Sequence, residues 1–326
     1  MDDLERFLAL ALDYEINHQL VWRQLLQHPE VAERLLGTAS PSDMVWEPER
    51  GLFDLAVHDP NETVYVEMKA GYGSLSASQI DRQRAFLDRR RQEGAEVRVA
   101  YALFGLSTFE HDADTLGEDT EGASPQVLTY TNVAEALEGA APTLPREDAA
   151  LCRAYQATLG RRWERLLHDE TSYVRRLRTY ATIRSLLPGI RTRVYRTSNA
   201  SGPVVILNDR LWPKIEVGAH EARVYQEVNN GRLSLKIAAG SLPDDSKRQL
   251  RRAVRRAAES VLGEAMPETR TSQVGRLGSY MTALVVGDRS IDDLAPREAA
   301  DLIRKVHRLL SDIASQVQEE AGRWGA

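Results

Sequence analysis

The sequence predicts an α/β protein of two domains, an N-terminal core in which helices and strands alternate and a C-terminal α+β domain. The length of 326 residues is about twice that of an average domain. Helical and strand-like periodicities alternate over residues 1–142, whereas a long helical pattern, a hairpin and further helices follow over 143–326. Pro142 and Pro145 separate the two patterns, so we place the domain boundary there.

The N-terminal elements follow from the spacing of apolar residues and from the glycines and prolines that flank them. Apolar residues three and four apart predict a helix over 3–36 that Pro29 breaks or kinks. A second helix, over 76–92, begins with a capping-box pattern at Ser76. The other predicted elements are strands at 43–46, 52–58, 63–70, 97–104 and 126–131, a solvated acidic loop at 106–124 that includes Glu110, and a short helix at 132–138 capped by Asn132.

The C-terminal elements begin with a long helical pattern from Arg146 that gives way at Pro188. Asn230 and Gly231 join two strand-like runs and are a strong signal of a β-hairpin. The remaining pattern predicts strands at 191–197, 203–208, 222–229 and 232–238, an extended segment at 268–288, and helices at 244–264 and 295–320. Strands grouped apart from helices in this way are typical of an α+β domain.

Composition and charge exclude several classes of protein. No apolar run approaches 18 residues and the first residues are acidic rather than basic, so we expect neither a membrane span nor a signal peptide, and a cytoplasmic location. Cys152 is the only cysteine, which excludes an intramolecular disulfide and a thiolate metal cluster. Residues 1–145 carry 11 Lys and Arg against 26 Asp and Glu, whereas 146–326 carry 31 against 22. A basic half of this kind favours a polyanionic partner such as nucleic acid.

The candidate chemistry lies on a predicted hairpin that contains Asp54, Glu67 and Lys69. Side chains alternate along a strand, so Glu67 and Lys69 share one face. With a four-residue loop, His58 pairs with Thr63, and the same register places Asp54 opposite Glu67. Their Cβ atoms would then lie about 5 Å apart.

The facing pair of Asp54 and Glu67 indicates a bound cation, because two carboxylates that meet within a sheet repel unless a cation or a proton compensates. Oxygen ligands without Cys or His are typical of Mg²⁺ or Mn²⁺, which complete their shell with water and substrate phosphate. The Lys69 ammonium could orient the attacking water and offset charge in a phosphoryl transition state. The hairpin is therefore interpreted as a divalent-metal site for phosphodiester chemistry.

This arrangement resembles the PD-(D/E)XK nuclease superfamily, in which a helix precedes a β-meander that carries an Asp and then Glu-x-Lys, and a helix and a strand follow. Asp54 matches the Asp of the motif and Glu67-Met68-Lys69 matches Glu-x-Lys, whereas Phe53 stands where the motif has proline. The resemblance covers about the first 140 residues. It implies a restriction-endonuclease-like core, which is a mixed sheet flanked by helices. The superfamily includes many bacterial restriction and phage-defence proteins.

The resemblance also implies further site residues. One branch has a Glu in the first helix and a Gln at the start of the helix after Glu-x-Lys, which correspond to Glu15 and Gln79. The implied Mg²⁺ or Mn²⁺ ion is bound by Asp54, Glu67 and the Met68 carbonyl, with Glu15 nearby. Each added residue also has a structural explanation, since Glu15 lies on a mixed helix face and Gln79 belongs to the capping box.

A row of cations on the helix predicted over 244–264 offers a surface for a substrate. Spacings of three and four place its members on one broad stripe: Lys247, Arg248, Arg251, Arg252, Arg255 and Arg256. Such a row could bind phosphates without reading sequence, although an ordinary solvated face explains it equally well.

Three functions are consistent with the sequence. The first is a Mg²⁺-dependent endonuclease for which DNA is the favoured substrate. The second is a non-catalytic nucleic-acid-binding or sensor module on a nuclease scaffold, and the third is an RNA-cleaving enzyme of the same architecture. The intact Asp54, Glu67 and Lys69 favour a nuclease. A homodimer would suit double-strand cutting, which needs two sites.

Overall fold

A computed structural model gives the fold of the chain. It divides into two compact domains, residues 1–170 and 171–326. This boundary is later than the predicted 142/143, because the helix that follows the two prolines buries Cys152 and Tyr155 in the core of the first domain. The structure describes residues 3–12, 14–38, 43–45, 52–71, 75–111, 116, 125–190, 192–195, 203–207, 212–267, 271–272 and 276–324.

Three helices open the first domain where the sequence predicts one that breaks only at Pro29. They are α1 (Asp3–Ala11), α2 (Glu15–Leu25) and α3 (Pro29–Leu36). The break before α2 has a local cause: the side chains of Asn17 and His18 donate to the carbonyl oxygens of Ala11 and Leu12, at 2.6 and 2.9 Å. These bonds satisfy carbonyls that a continuing helix would use, so the chain turns and starts α2 afresh.

A mixed five-stranded sheet forms the centre of the first domain. Its strands follow the chain order: β1 (Asp43–Val45), β2 (Leu55–His58), β3 (Thr63–Gly71), β4 (Val97–Gly105) and β5 (Gln126–Leu128). The first three pair antiparallel and the last three parallel. The other helices among the described residues of this domain are α4 (Ala77–Gln92), α5 (Ser107–Glu110), α6 (Tyr130–Ala140) and α7 (Arg146–Leu167).

Apolar side chains on the two faces of this sheet pack into separate cores. One face packs against α1, α2, α3, α6 and α7, and the other packs against α4. Strand alternation explains the division, since Val64 and Val66 enter the first core and Tyr65 enters the second. The predicted mixed sheet flanked by helices is confirmed.

Two local predictions in this domain are wrong. Glu110 is buried in α5 rather than solvated, because its neighbour Phe109 stacks on Trp163 with ring centroids 5.8 Å apart and fixes this turn. Residues 112–115 and 117–124 of the predicted acidic loop lie outside the described residues. Asn132 lies in the first turn of α6 rather than capping it, and its side-chain oxygen accepts a bond from the Thr129 amide at 3.0 Å.

Two glycines allow β3 and β4 to approach closely where both strands end. Gly71 has a φ of 55° and pairs with Gly105, at which a Cβ atom would lie 2.2 Å from the Gly71 carbonyl oxygen. We expect Gly105→Ala to lower the free energy of unfolding by roughly 3 kcal/mol, the upper end of overpacking costs. Gly160→Ala, which meets open space within α7, should raise it by up to about 1 kcal/mol. Urea denaturation measures both, and equal stabilities would contradict the predicted clash.

The described residues of the second domain combine an antiparallel sheet with three α-helices. Its described strands are β6 (Thr192–Tyr195), β7 (Val204–Leu207), β8 (Lys214–Val217), β9 (His220–Asn229), β10 (Arg232–Ala238), β11 (Thr271–Ser272) and β12 (Tyr280–Val286). They pair in the order β11-β12-β10-β9-β7-β6, with β8 also on β9. The helices are α8 (Ser172–Ser185), α9 (Asp244–Ala265) and α10 (Pro296–Ala321).

The predicted hairpin of the second domain is confirmed. Asn230 and Gly231 adopt positive φ angles of 50° and 72° and join β9 to β10. A two-residue type I′ hairpin turn requires positive φ at both of its central residues. No strand is predicted at β8, because its four residues are too few to show alternation clearly. Among the described residues, no helix has the length and apolarity that a membrane crossing demands.

Candidate active site

The β2–β3 hairpin has the predicted register. His58 pairs with Thr63 and Leu55 pairs with Val66. The Asp54 amide donates to the Val66 carbonyl at 2.9 Å, which extends the pairing by one residue. Asp54 is therefore brought beside the Glu67 strand position, as the sequence predicts.

The Asp54 carboxylate is held by two neutral donors. The Gln19 amide donates to Oδ1 at 2.7 Å and the Met68 backbone amide donates to Oδ2 at 2.6 Å. Burial raises the pKa of Asp54 above its ordinary range, and it outweighs the opposing bond from Met68 and the charge of Lys69. The strand and α2 thus fix this carboxylate in a poorly solvated place.

The Glu67 carboxylate is almost completely buried and accepts three hydrogen bonds. Oε1 receives the Lys69 ammonium at 2.6 Å and the Gln79 amide at 2.7 Å, and Oε2 receives the Gln83 amide at 2.8 Å. Burial, followed by the negative charge of Asp54, raises the pKa of Glu67 to about 7. The two predicted carboxylates are therefore close enough for the charge of Asp54 to disfavour ionisation of Glu67.

The Lys69 ammonium lies at the centre of the oxygen cluster. Its Nζ atom contacts Glu67 Oε1 at 2.6 Å, the Met68 carbonyl oxygen at 3.0 Å and Glu15 Oε2 at 3.2 Å. Burial alone would lower the pKa of Lys69, but the carboxylates of Glu67 and Glu15 outweigh it and raise that pKa. Three of the four oxygen groups predicted as metal ligands therefore surround a positive charge.

Two helices deliver the side chains that complete the cluster. Glu15 is the first residue of α2, and its Oε1 lies 3.5 Å from the Ala70 amide. Ser76 caps α4 by accepting from the Gln79 backbone amide at 3.1 Å, and the Gln79 side-chain amide donates to Glu67. The cap uses only the backbone of Gln79, so the contact of its side chain is with the site carboxylate.

Sequence reasoning missed two glutamines that bind the carboxylates. Gln19 lies one turn after Glu15 on α2, and Gln83 lies one turn after Gln79 on α4. Gln83 is fully buried, donates to Glu67 and to the Leu52 carbonyl, and accepts from the Tyr101 hydroxyl at 3.1 Å. Their spacing of four residues from predicted site residues is the signal that could have found them.

The donor set fits a hard divalent cation. The site holds three carboxylates, from Glu15, Asp54 and Glu67, and one ammonium, so acidic groups outnumber basic groups by two. Within the described part of the chain, no three acidic, His or Cys side chains stand ready to hold a metal ion. The position of the Lys69 ammonium explains this, because it separates oxygens that a metal ion would draw together. The residues that would hold the ion are Asp54, Glu67, the Met68 carbonyl and Glu15.

Comparison with known proteins gives no match. No protein-family model, curated protein or solved structure matches the chain. The function of the cluster must therefore be inferred from its own residues and geometry.

The cations predicted to bind substrate lie on α9 of the second domain, where several have partners. Lys247 and Arg248 each lie beside an aspartate one turn earlier, at 3.8 and 2.6 Å, and Arg255 donates to the Ala283 carbonyl at 3.2 Å. Arg251 is half-buried, and burial followed by the charge of Arg255 lowers its pKa. Of the predicted row, the exposed members are Arg248, Arg252 and Arg256.

The raised pKa of Glu67 predicts how stability depends on pH. The folded protein keeps a proton that the unfolded chain releases near pH 4.5, so the free energy of unfolding should fall as pH rises from about 4.5 to about 7. Relative to Glu67→Gln, which cannot titrate, the wild type should lose roughly 3 kcal/mol across that window. Urea denaturation in EDTA at several pH values measures the difference, and parallel pH profiles would contradict it.

Proposed function

We propose that the first domain is a Mg²⁺- or Mn²⁺-dependent endonuclease and that DNA is its favoured substrate. The observation that supports this most strongly is the excess of acid around Lys69: the carboxylates of Glu67 and Glu15 and the Met68 carbonyl contact one ammonium, and the Asp54 carboxylate lies close enough to Glu67 to raise its pKa. Such repulsion is compensated by a cation or by a proton, and a divalent ion would supply the two positive charges that Lys69 does not.

The order of the elements supports a restriction-endonuclease-like core and the PD-(D/E)XK assignment. An antiparallel β1-β2-β3 meander carries Asp54 and Glu67-Met68-Lys69, α4 crosses over, and β4 and β5 continue in parallel. A helix that precedes the meander brings Glu15 to Lys69. These are the features by which the sequence resembles the superfamily, and they meet at one cluster.

The proposed reaction is hydrolysis of a phosphodiester bond. A divalent cation would supply Lewis-acid chemistry, activating water and neutralising charge on the scissile phosphate. The amides of Gln19, Gln79 and Gln83 orient the two carboxylates without cancelling their charge, because an amide is neutral. Lys69 supplies a cationic donor that can turn from the carboxylates to a phosphate oxygen or to the attacking water.

One gel series tests the proposal. Supercoiled plasmid, linear duplex, single-stranded DNA and RNA are each incubated with Mg²⁺, Mn²⁺ or EDTA. We expect cleavage of DNA with either metal and none with EDTA. Cleavage confined to RNA would identify the alternative ribonuclease, and no cleavage of any substrate with either metal would contradict the enzymatic proposal.

A non-catalytic nucleic-acid-binding protein is the second candidate. The contacts of Lys69 favour it, since the ammonium already compensates part of the acidic charge without a metal ion. Calorimetric titration separates the two: the enzyme requires Mg²⁺ or Mn²⁺ binding. Salt-dependent DNA binding without any metal binding would favour the second candidate.

A further inference from the structure

Helix α4 concentrates positive charge in an acidic part of the chain. Residues 1–145 contain eleven Lys and Arg, and α4 carries five of them: Arg82, Arg84, Arg89, Arg90 and Arg91. The helix also begins at the candidate active site, because Gln79 in its first turn donates to Glu67. A polyanionic substrate that reaches the site would therefore meet this helix directly.

Three of the five arginines either form an ion pair or bond to a residue outside α4. Arg84 donates to the Leu116 carbonyl at 3.0 Å. Arg90 pairs with Glu93 at 2.9 Å, and Arg91 pairs with Asp88 at 3.1 Å. These three contacts explain the residues as parts of the fold.

Arg82 and Arg89 differ from the other three. Both are exposed, and no carboxylate of the described residues forms an ion pair with either. They are seven residues apart, which places them on one face about 10 Å apart along the helix, and Ser78 continues this face toward the site. Three nucleotides of one DNA strand cover a similar distance along the duplex axis, at about 3.4 Å each.

Local contacts direct both guanidinium groups. Arg82 Nε donates to the Ser78 carbonyl at 3.2 Å, which holds its guanidinium beside the first turn of α4. The Arg89 guanidinium lies over the Phe86 ring, 5.7 Å from the centroid. A guanidinium held by its face or by one nitrogen keeps other N–H groups free to bind phosphate oxygens.

We propose that Arg82 and Arg89 form a phosphate-binding row that holds the backbone of the nucleic-acid substrate beside the active site. This rests on the proposed nuclease function for its substrate, and it locates the electrostatic contacts on α4 of the first domain. The row binds by charge and hydrogen bonding and is indifferent to base sequence. It also explains how a domain with a large acidic excess can approach DNA.

The salt dependence of DNA binding tests the row. Binding of a short labelled duplex is measured in EDTA between about 50 and 200 mM KCl for the wild type, Arg82→Ala, Arg89→Ala and the double variant. We expect each single variant to reduce the slope of log K against log salt by about 1, and the double variant by about 2. Arg90→Ala removes the same charge from a paired position of the same helix and should leave the slope unchanged.

Each other outcome overturns the row or separates it from the proposed function. Equal slopes for the wild type and the double variant, an equal effect of Arg90→Ala, or no binding of duplex by the wild type contradict the row. Wild-type cleavage with Mg²⁺ on the same duplex is the independent readout of the proposed function. Reduced slopes without cleavage would support the phosphate-binding row and contradict the nuclease function. Cleavage with unchanged slopes would support the nuclease function and contradict the row.

Discussion

Asp54→Asn is expected to lower Mg²⁺-dependent cleavage by at least about 10³-fold, which corresponds to about 4 kcal/mol of transition-state stabilisation. The substitution keeps the shape of the side chain. Its oxygen can still accept from the Met68 amide, and Gln19 can turn its own amide to accept from the new NH₂ group. What is lost is one negative charge of the site, so Mg²⁺ affinity should fall about tenfold or more.

The same substitution should stabilise the protein without metal. Asp54 contributes to raising the pKa of Glu67, and removing its charge relieves repulsion within a buried cluster. The melting temperature in EDTA should therefore rise while activity disappears, a combination typical of residues kept for function. Loss of activity together with a large fall in melting temperature would instead point to a structural role.

Asp59→Asn is the matched control for Asp54→Asn. Asp59 lies on the same hairpin, where it accepts from the Asn61 amide at 2.9 Å and the Thr38 hydroxyl at 3.1 Å. The chemical change is identical, but no site carboxylate is altered. Cleavage within about twofold of wild type is expected, because a surface substitution of this kind has a small effect. An equal loss in both variants would contradict the role of Asp54.

Local sequence signals were sufficient for the hairpin but not for the whole cluster. The register of β2 and β3 follows from loop length and strand alternation, so the neighbouring positions of Asp54 and Glu67 could be predicted. The amides of Gln19 and Gln83 come from α2 and α4, whose docking onto the sheet depends on long-range packing that periodicity does not describe. The break that places Glu15 at the start of α2 likewise depends on side-chain bonds to carbonyl oxygens.

The cations of α9 show that helical spacing predicts which residues share a helix but not which of them have partners. Helical spacing correctly places them on one helix, but it does not reveal how many are already engaged. Lys247 and Arg248 each follow an aspartate by three residues, a spacing visible in the sequence. The bond from Arg255 to the Ala283 carbonyl could not be predicted, because it joins α9 to a strand 28 residues away.

Lys69→Met is expected to abolish cleavage and yet strengthen Mg²⁺ binding. The ammonium now contacts Glu67 Oε1, the Met68 carbonyl and Glu15 Oε2, which are groups predicted to bind the metal ion. Removing a positive charge from among them should raise Mg²⁺ affinity by at least about tenfold, because the ion no longer competes with it. Cleavage should fall by at least about 10²-fold, since the cationic donor to the transition state is lost.

The stability of Lys69→Met without metal provides the decisive contrast. The carboxylates of the site are left without a compensating ammonium, so the melting temperature in EDTA should fall. Saturating Mg²⁺ should then raise the melting temperature of the variant by more than it raises that of the wild type. Lys214→Met is the control, because Lys214 pairs with Glu221 at 2.8 Å on an exposed surface and should affect neither property. If Lys69→Met instead weakened Mg²⁺ binding, the ammonium and the metal ion would not compete for these oxygens. The cluster around Lys69 would then be an internal ion-pair network, and the metal-dependent mechanism would lose its site.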